Sequence, residues 1–420
     1  MDFEYHYTPE QQEFRKEVRT WLEENWPKDM ERGQDYKHTS ADTWRRLKAF
    51  RQDLGAQGWL HPTYPAEYGG GGLSGALAVV IAEEMREVTG AGDMGGLIYD
   101  NPFDIPPLVV WGTDEQKRDL LPRRLGGELL GWQLFTEPDA GSDLAGLKTR
   151  AVRDGDDWVI SGEKVFVGGD SGYANPETKL PDDELLATSH LFTLAVTDPD
   201  APRHHNIGAF LIPGDTPGIT IQTLDLLVGH GKRQVYLEEV RVPGTMMLGG
   251  ETQGWQVSQT ALEIEHGGGG GPPPRDKAVA ALIEWVRQNG KGSDPHVRQQ
   301  VAEAVIEKDI MRLFATRNHW MVEAKQEMTF HGSQQSLWRK QSGIRISDLI
   351  RDVLGPHAML DFTDPSAAFK GELELHQRES LAAAHPGGTV EVQKVIMARR
   401  MGVSRTRERA APTPATVGSR

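Results

Sequence analysis

The chain has 420 residues, too many for one compact core, and its length points to two or three domains. It carries 61 Asp and Glu against 46 Lys and Arg, a net charge of −15, which argues against a nucleic-acid binder because phosphate contacts need a cationic surplus. There is no Cys for disulfide or thiolate chemistry, and no run approaches the roughly 20 apolar residues of a membrane span. The acidic start Met1-Asp-Phe-Glu-Tyr lacks the layout of a secretory signal, so a cytoplasmic protein is expected.

Residues 1–125 read as helical. Thr8-Pro9 is a helix start with Thr8 as cap, and Phe14, Val18, Trp21 and Leu22 recur behind it at helical spacing. A second helix is expected from Ser40 to Leu54 and a third from Leu73 to Val88, the latter carrying Glu83-Glu84. Thr113 is expected to cap another helix. These elements predict packing and capping rather than chemistry.

Residues 126–247 switch to short β-type runs separated by turns, which predicts a compact β-barrel or sandwich. The runs are Leu129–Phe135, Lys148–Arg153, Trp158–Ile160, Lys164–Val167, His190–Val196, Ile207–Ile212, Ile219–Leu224 and Val235–Val242. The loop after the first run holds Pro138, Gly141 and Ser142, residues that suit tight turns and leave backbone N–H groups free for an anion. The adjacent His204-His205 pair lies in a Pro/Asp/Arg-rich turn and reads as a solvated loop, and no metal site is expected.

From Gln253 onward helices return. One opens at Gly254-Trp255 and runs to Glu265, where five glycines and three prolines (267–274) cannot continue it. Further helices are expected over Lys277–Gln288, from Asp294 into Glu323, over 340–353, and from Val390 to Met401. The basic, polar stretch 403–420 reads as a disordered tail. The expected domains are therefore an N-terminal helical domain (1–129), a central β domain (130–247) and a C-terminal helical domain (248–402), an α+β multidomain fold ending in a helical bundle.

The most informative stretch is Thr136-Glu-Pro-Asp-Ala-Gly-Ser-Asp143, followed by Lys148-Thr149 and Ile160-Ser-Gly-Glu-Lys-Val-Phe166. It resembles the signature of the acyl-CoA dehydrogenase family, Thr-Glu-Pro-x-Ala-Gly-Ser-Asp, then Lys-Thr and an Ile-x-Gly-x-Lys-x-aromatic strand. The order helical, β, helical is similar to that family's fold. The resemblance implies FAD-dependent oxidation of an acyl-CoA to the 2,3-enoyl-CoA, with a carboxylate removing the α-proton while hydride leaves the β-carbon for the flavin. The α-proton of a thioester is weakly acidic, so two hydrogen-bond donors must stabilise the developing charge on the thioester oxygen. Burial would raise the base toward the range useful for proton abstraction.

Residue by residue, the resemblance places Thr136 by the flavin ring and Ser142, with Gly141, by its pyrophosphate. Phe135 and Phe166 line the ring, Phe166 standing where the family often has Trp. Gly168 stands where a hydroxyl residue is usual, so one flavin hydrogen bond is expected to be absent or made by backbone. Arg287, in Trp285-Val-Arg-Gln, is similar to the arginine that reaches a neighbouring subunit's FAD, although the Arg-x-x-Phe pattern is replaced by Arg-Gln-Asn-Gly. Thr389 matches a further flavin contact.

The family's C-terminal aromatic-Glu-Gly-Thr motif is here His385-Pro-Gly-Gly-Thr389, so Gly387 replaces the commonest catalytic Glu while its backbone N–H remains as a thioester-oxygen donor. A subset of the family carries the Glu on another helix, just before an Arg. Here Glu265 takes that position and His266 replaces the Arg at the substrate. Glu263 and Glu265 point about 200° apart on a helix, so only one serves as base, and Glu265 is the choice. The Gly/Pro break beside it predicts a wide pocket for a bulky acyl group such as a sterol side chain. The implied partners are the acyl-CoA, an electron-transfer flavoprotein as acceptor, and either identical subunits or a related subunit in a heterotetramer. A non-catalytic subunit of such a complex and a flavin monooxygenase or oxidase on the same fold are the competing readings.

Overall fold

In a computed structural model of the chain, the described residues are 7–27, 41–89, 102–168, 184, 186–224, 226–228, 232–263 and 277–405. The chain divides into two compact units, one running to Leu262 and the other beginning at Glu263.

The first unit opens with helices α1 (Pro9–Asn25), α2 (Ala41–Ala56), α3 (Gly75–Thr89), α4 (Ile105–Trp111) and α5 (Asp114–Leu125). The caps at Thr8 and Thr113 fall where the sequence places them, while Ser40, the expected cap of the second helix, lies outside the described residues. Thr8 accepts from the Gln11 amide while its own N–H donates to Gln11 Oε1 at 2.9 Å, and Thr113 and Gln116 repeat the arrangement. Val18, Leu22, Phe50, Leu54, Trp59 and Met85 form the core of this region. Glu84 is buried and receives Arg15 at 2.5 Å and Arg19 at 2.6 Å, while Glu83 takes Arg15 and the Tyr7 hydroxyl. The Glu83-Glu84 pair is thus a structural tie between α1 and α3.

A sheet follows, built from β1 (Leu130–Leu134), β2 (Arg150–Asp154), β3 (Asp157–Gly168), β4 (Ser189–Val196), β5 (Ile207–Pro213), β6 (Ile219–Thr223), β7 (Lys232–Pro243) and β8 (Met247–Leu248). The strand order is β6-β7-β3-β2-β4-β5-β8, with β1 paired in parallel to β4. Trp132, Trp158, Ile160 and Phe210 belong to one core cluster, and Phe135, Phe192, Leu194 and Leu211 to a second that also takes Ile105 and Leu121 from the helices. The expected break at Ser161-Gly162 is absent: the runs 158–160 and 164–167 are one strand, interrupted by two bulges. Gly162 is needed there for a different reason, since a Cβ would run into the Thr149 hydroxyl. Helix α6 (Gly254–Glu263) starts as expected, and residues 264–276, with the whole Gly/Pro run, lie outside the described residues, as do 406–420 of the expected tail.

The second unit contains α7 (Lys277–Gln288), α8 (Pro295–Glu323), α9 (His331–Leu354), α10 (Glu372–Ala382) and α11 (Val390–Arg400). Val279, Leu282, Trp285, Ile346, Ile350 and Leu373 lie in its core. Helix α9 begins nine residues earlier than the expected 340, because much of its buried face is Gly332, Ser333, Ser336, Lys340, Ser342 and Ser347 rather than an apolar stripe. Helix α10 was not expected at all; among its buried residues Leu373 is the one large apolar side chain.

Candidate active site

The candidate residues fall into two groups, one in each unit. In the first unit the signature loop leaves β1 and is pinned from beneath. The Glu137 carboxylate accepts from the backbone N–H groups of Lys148 (2.6 Å) and Thr149 (2.9 Å) and from Lys164 Nζ (2.7 Å). Lys164 is 0% and Glu137 6% exposed, so the pair is buried. Burial pushes the Lys164 ammonium down to about 8 against the pull of Glu137. Burial alone would raise the Glu137 carboxyl, yet Lys164 and the donors at 148 and 149 hold it below the usual carboxylate range. Both therefore stay charged at neutral pH. Reciprocal backbone hydrogen bonds of 3.1 Å between Glu137 and Ala140 close the turn.

Above this anchor the loop is open. Gly141 and Ser142 are exposed, and Thr136, half-buried, accepts at its carbonyl from the Val165 N–H at 2.9 Å, stitching the loop to β3. At the second bulge Phe166 has φ 55 and is 55% exposed. A left-handed backbone is costly for a bulky residue, and holding an aromatic ring outward in that state marks a built surface. Phe135, by contrast, is buried and packs edge-on against Phe192 at 5.0 Å, so it supports the loop from within. Gly168 pairs with Lys232 across β3–β7, and Lys232 Nζ lies 2.6 Å from where a Cβ at 168 would stand. Trp255, at the start of α6, stacks on His204 at 4.3 Å, and the neighbouring Arg203 pairs with Asp143 of the signature loop. His204 is therefore packed on Trp255 rather than freely solvated, and no periodicity in the sequence marks it. Its φ is 73. Thr136, Gly141, Ser142 and Phe166 thus share one loop-and-bulge region of the first unit.

In the second unit Gly387 and Gly388 have φ 66 and 73, and Thr389 caps α11 by accepting from the Val392 N–H at 3.2 Å. The Gly387 carbonyl accepts from buried Gln393 at 2.7 Å. Buried Lys340 donates to the carbonyls of Ala383 (3.1 Å) and Pro386, a role that no motif or periodicity marks. Arg287 is 74% exposed on α7, with Glu284 at 3.8 Å. Glu265 and His266 lie outside the described residues. Glu263 is described: Arg400 grips both its oxygens, at 2.9 and 2.5 Å, and also donates to the Thr329 carbonyl. Among the described residues no cluster of His, Asp and Glu could hold a metal, and no helix is long and apolar enough to cross a membrane.

The pinned loop, the outward aromatic and the double-glycine turn sit in a chain whose sequence matches all three domains of one family: acyl-CoA dehydrogenase N-terminal (8–128), middle (133–240) and C-terminal (252–402). The chain belongs to the acyl-CoA dehydrogenase family. It is an oxidoreductase of that family, with a flavin cofactor implied. It is 29% identical to acyl-CoA dehydrogenase IpdE1 of Mycobacterium tuberculosis over 406 residues, 93% of this chain and 97% of that protein. Among solved structures it is similar to the ChsE4-ChsE5 complex from Mycobacterium tuberculosis, with a TM-score of 0.76, 25% identity and coverage of 97% of this chain and 100% of that one. The Tcur3481-Tcur3483 steroid ACAD gives a TM-score of 0.72 at 25% identity, covering 97% and 100%.

The residues present fit a flavin. A planar aromatic cofactor needs an exposed apolar ring, open backbone without side-chain bulk, and small polar groups for its phosphates. Phe166 and the exposed Gly141-Ser142 turn offer these in the first unit.

Proposed function

We propose that the chain binds FAD and dehydrogenates an acyl-CoA thioester between its α- and β-carbons. The observation that carries this reading is the signature loop locked on the buried Glu137–Lys164 pair, with the strained, exposed Phe166 beside Thr136. Thr136 and Phe166 would hold the flavin ring and Gly141 and Ser142 its pyrophosphate; the family resemblance also assigns Thr389 a flavin contact. Phe135 would act from behind, by packing on Phe192. Arg287, exposed on α7, is available to a neighbouring subunit's FAD. When bound, FAD would supply the acceptor for the hydride released from the β-carbon.

Proton abstraction falls to Glu265. Glu263, the alternative two residues earlier in the sequence, is already engaged on both oxygens by Arg400. The Gly387 N–H would meet the thioester oxygen and His266 would contact the substrate. The Gly/Pro run at 267–274 removes side-chain bulk next to Glu265, and one structural relative is titled a steroid ACAD; both favour a bulky acyl group. Assembly with further subunits fits the exposed Ile306, Leu313 and Trp320, spaced seven residues apart along α8, and the two-component relatives. An electron-transfer flavoprotein would take the electrons.

The test is anaerobic reduction of the bound flavin by a panel of acyl-CoAs, including ring-bearing ones, beside Glu265→Gln. Bleaching by a bulky acyl-CoA that disappears in the variant supports the assignment. Undiminished bleaching by Glu265→Gln moves the base elsewhere.

A further inference from the structure

Lys340 lies on α9 with 2% of its surface exposed, and its ammonium is turned onto the carbonyls of Ala383 and Pro386. Taking an ammonium out of water is costly, so a buried lysine aimed at a loop's carbonyls asks for a reason. The Pro386 carbonyl and the Gly387 N–H belong to one peptide unit. No peptide bond among the described residues is cis, so in this planar trans unit the N–H points directly away from the oxygen that Lys340 holds. Fixing the oxygen therefore aims the N–H. A cation on the carbonyl oxygen also draws electron density through the amide and makes its N–H a stronger donor, as hydrogen-bonded chains polarise one another.

The next peptide is held as well. Gln393, fully buried, donates to the Gly387 carbonyl at 2.7 Å, and Thr389 fixes the exit of the turn as the cap of α11. Two successive peptide units are thus pinned by their oxygens, in a tandem-glycine turn with φ 66 and 73 that would otherwise have wide conformational freedom. Pinning both leaves the Gly387 N–H preorganised, the property an oxyanion donor needs.

We infer that Lys340 is a positioning residue that aims and strengthens the Gly387 N–H toward an anionic or strongly polarised oxygen. The inference rests on the reading of Gly387 as a thioester-oxygen donor. Lys340 would act through this peptide rather than on the substrate. This role also accounts for a lysine in the first half of α9, where the other buried residues up to Ser342 are Gly332, Ser333 and Ser336 and a small residue would pack with less desolvation.

The test compares wild type, Lys340→Met and Lys340→Arg on two readouts. The first is kcat against KM with the acyl-CoA that bleaches the flavin. The second is the infrared stretch of a bound enoyl-CoA labelled with carbon-13 at the thioester carbonyl. Lys340→Met is expected to lose about tenfold or more in kcat, short of the hundredfold or greater loss for a deleted donor, with KM little changed. The labelled carbonyl should move back toward its frequency in water, and Lys340→Arg should recover much of both. If Lys340→Met fails to fold, Lys340→Gln keeps a donor to Pro386 without the charge and should show the same carbonyl shift. A folded Lys340→Met or Lys340→Gln with wild-type kcat and carbonyl frequency overturns the inference. A wild-type complex whose bound carbonyl matches the free ligand sinks the Gly387 reading beneath it instead.

Discussion

Lys164 Nζ lies 2.7 Å from Glu137 Oε1 and also reaches the Phe135 carbonyl at 3.3 Å, so one buried ammonium ties the end of β1 to the loop that follows. Removing one member of a buried pair strands the other charge, which typically costs about 3–5 kcal/mol. Lys164→Met and Glu137→Gln are each expected to destabilise the protein by roughly that amount in urea unfolding and to weaken flavin retention. The double variant should lose less than the sum. Strict additivity would show that the two side chains do not interact.

His190 on β4 gives the clearest pH dependence. Burial, with Arg124 and Arg123 nearby, pushes its imidazole down to about 4 from an ordinary 6.5, and its Nδ1 is buried without a hydrogen-bond partner. The folded value is the lower one, so between pH 6.5 and 4 the unfolded chain binds more protons than the folded one. Stability from this group is therefore complete above 6.5 and is lost as pH falls toward 4, by about 3 kcal/mol at 1.36 kcal/mol per pKa unit. His190→Gln should flatten this part of the stability curve. An unchanged slope between pH 6.5 and 4 would place the protons elsewhere.

Gly168 tests how the flavin face is built. The sequence led us to expect a missing or backbone-made hydrogen bond here. The space a side chain at 168 would take is filled from the opposite strand, by Lys232 Nζ at 2.6 Å from a notional Cβ. A cation beside a reduced, anionic flavin stabilises it, so Lys232→Met is expected to lower the midpoint potential of bound FAD by about 30 mV or more, the equivalent of tenfold for two electrons. Gly168→Thr alone must push the lysine aside and should shift the potential the same way. Equal potentials in wild type and Lys232→Met, measured against a reference dye, would separate Lys232 from the flavin.

Much of this was legible from the sequence where local chemistry repeats along the chain. Thr8 and Thr113 announced their helices because a capping side chain bonds its own neighbours. The β runs are legible as short apolar stretches between turns, yet the Ser161-Gly162 pair reads as a turn, since the sequence does not reveal that Thr149 lies against that backbone. Helix α9 was half hidden because it buries serine and glycine, which carry no hydrophobic period. The site followed the same division. Thr136, Ser142 and Phe166 came from a contiguous motif, whereas Lys340, His204 and Lys232 act through partners 43 to 64 residues distant and leave no local mark.

Gly387 is proposed to stand where the family usually carries its catalytic Glu, which raises the question of whether a carboxylate could be placed there by one substitution. Gly387 sits at φ 66 and Gly388 at φ 73, so a side chain at 387 meets a left-handed backbone that costs an L-residue roughly 1–2 kcal/mol. The turn cannot relax to avoid that cost without releasing the Gly387 carbonyl from Gln393 or the Pro386 carbonyl from Lys340. Gly387→Glu is therefore expected to lower thermal stability and to leave Glu265→Gln unrescued, because the new carboxylate arrives together with a displaced N–H donor. Gly387→Ala should show the backbone penalty without the charge and separate the two effects. Anaerobic flavin bleaching by Gly387→Glu/Glu265→Gln at a wild-type rate would mean that the turn accepts a side chain without strain, and that the absence of a Glu at 387 is not enforced by the fold around it.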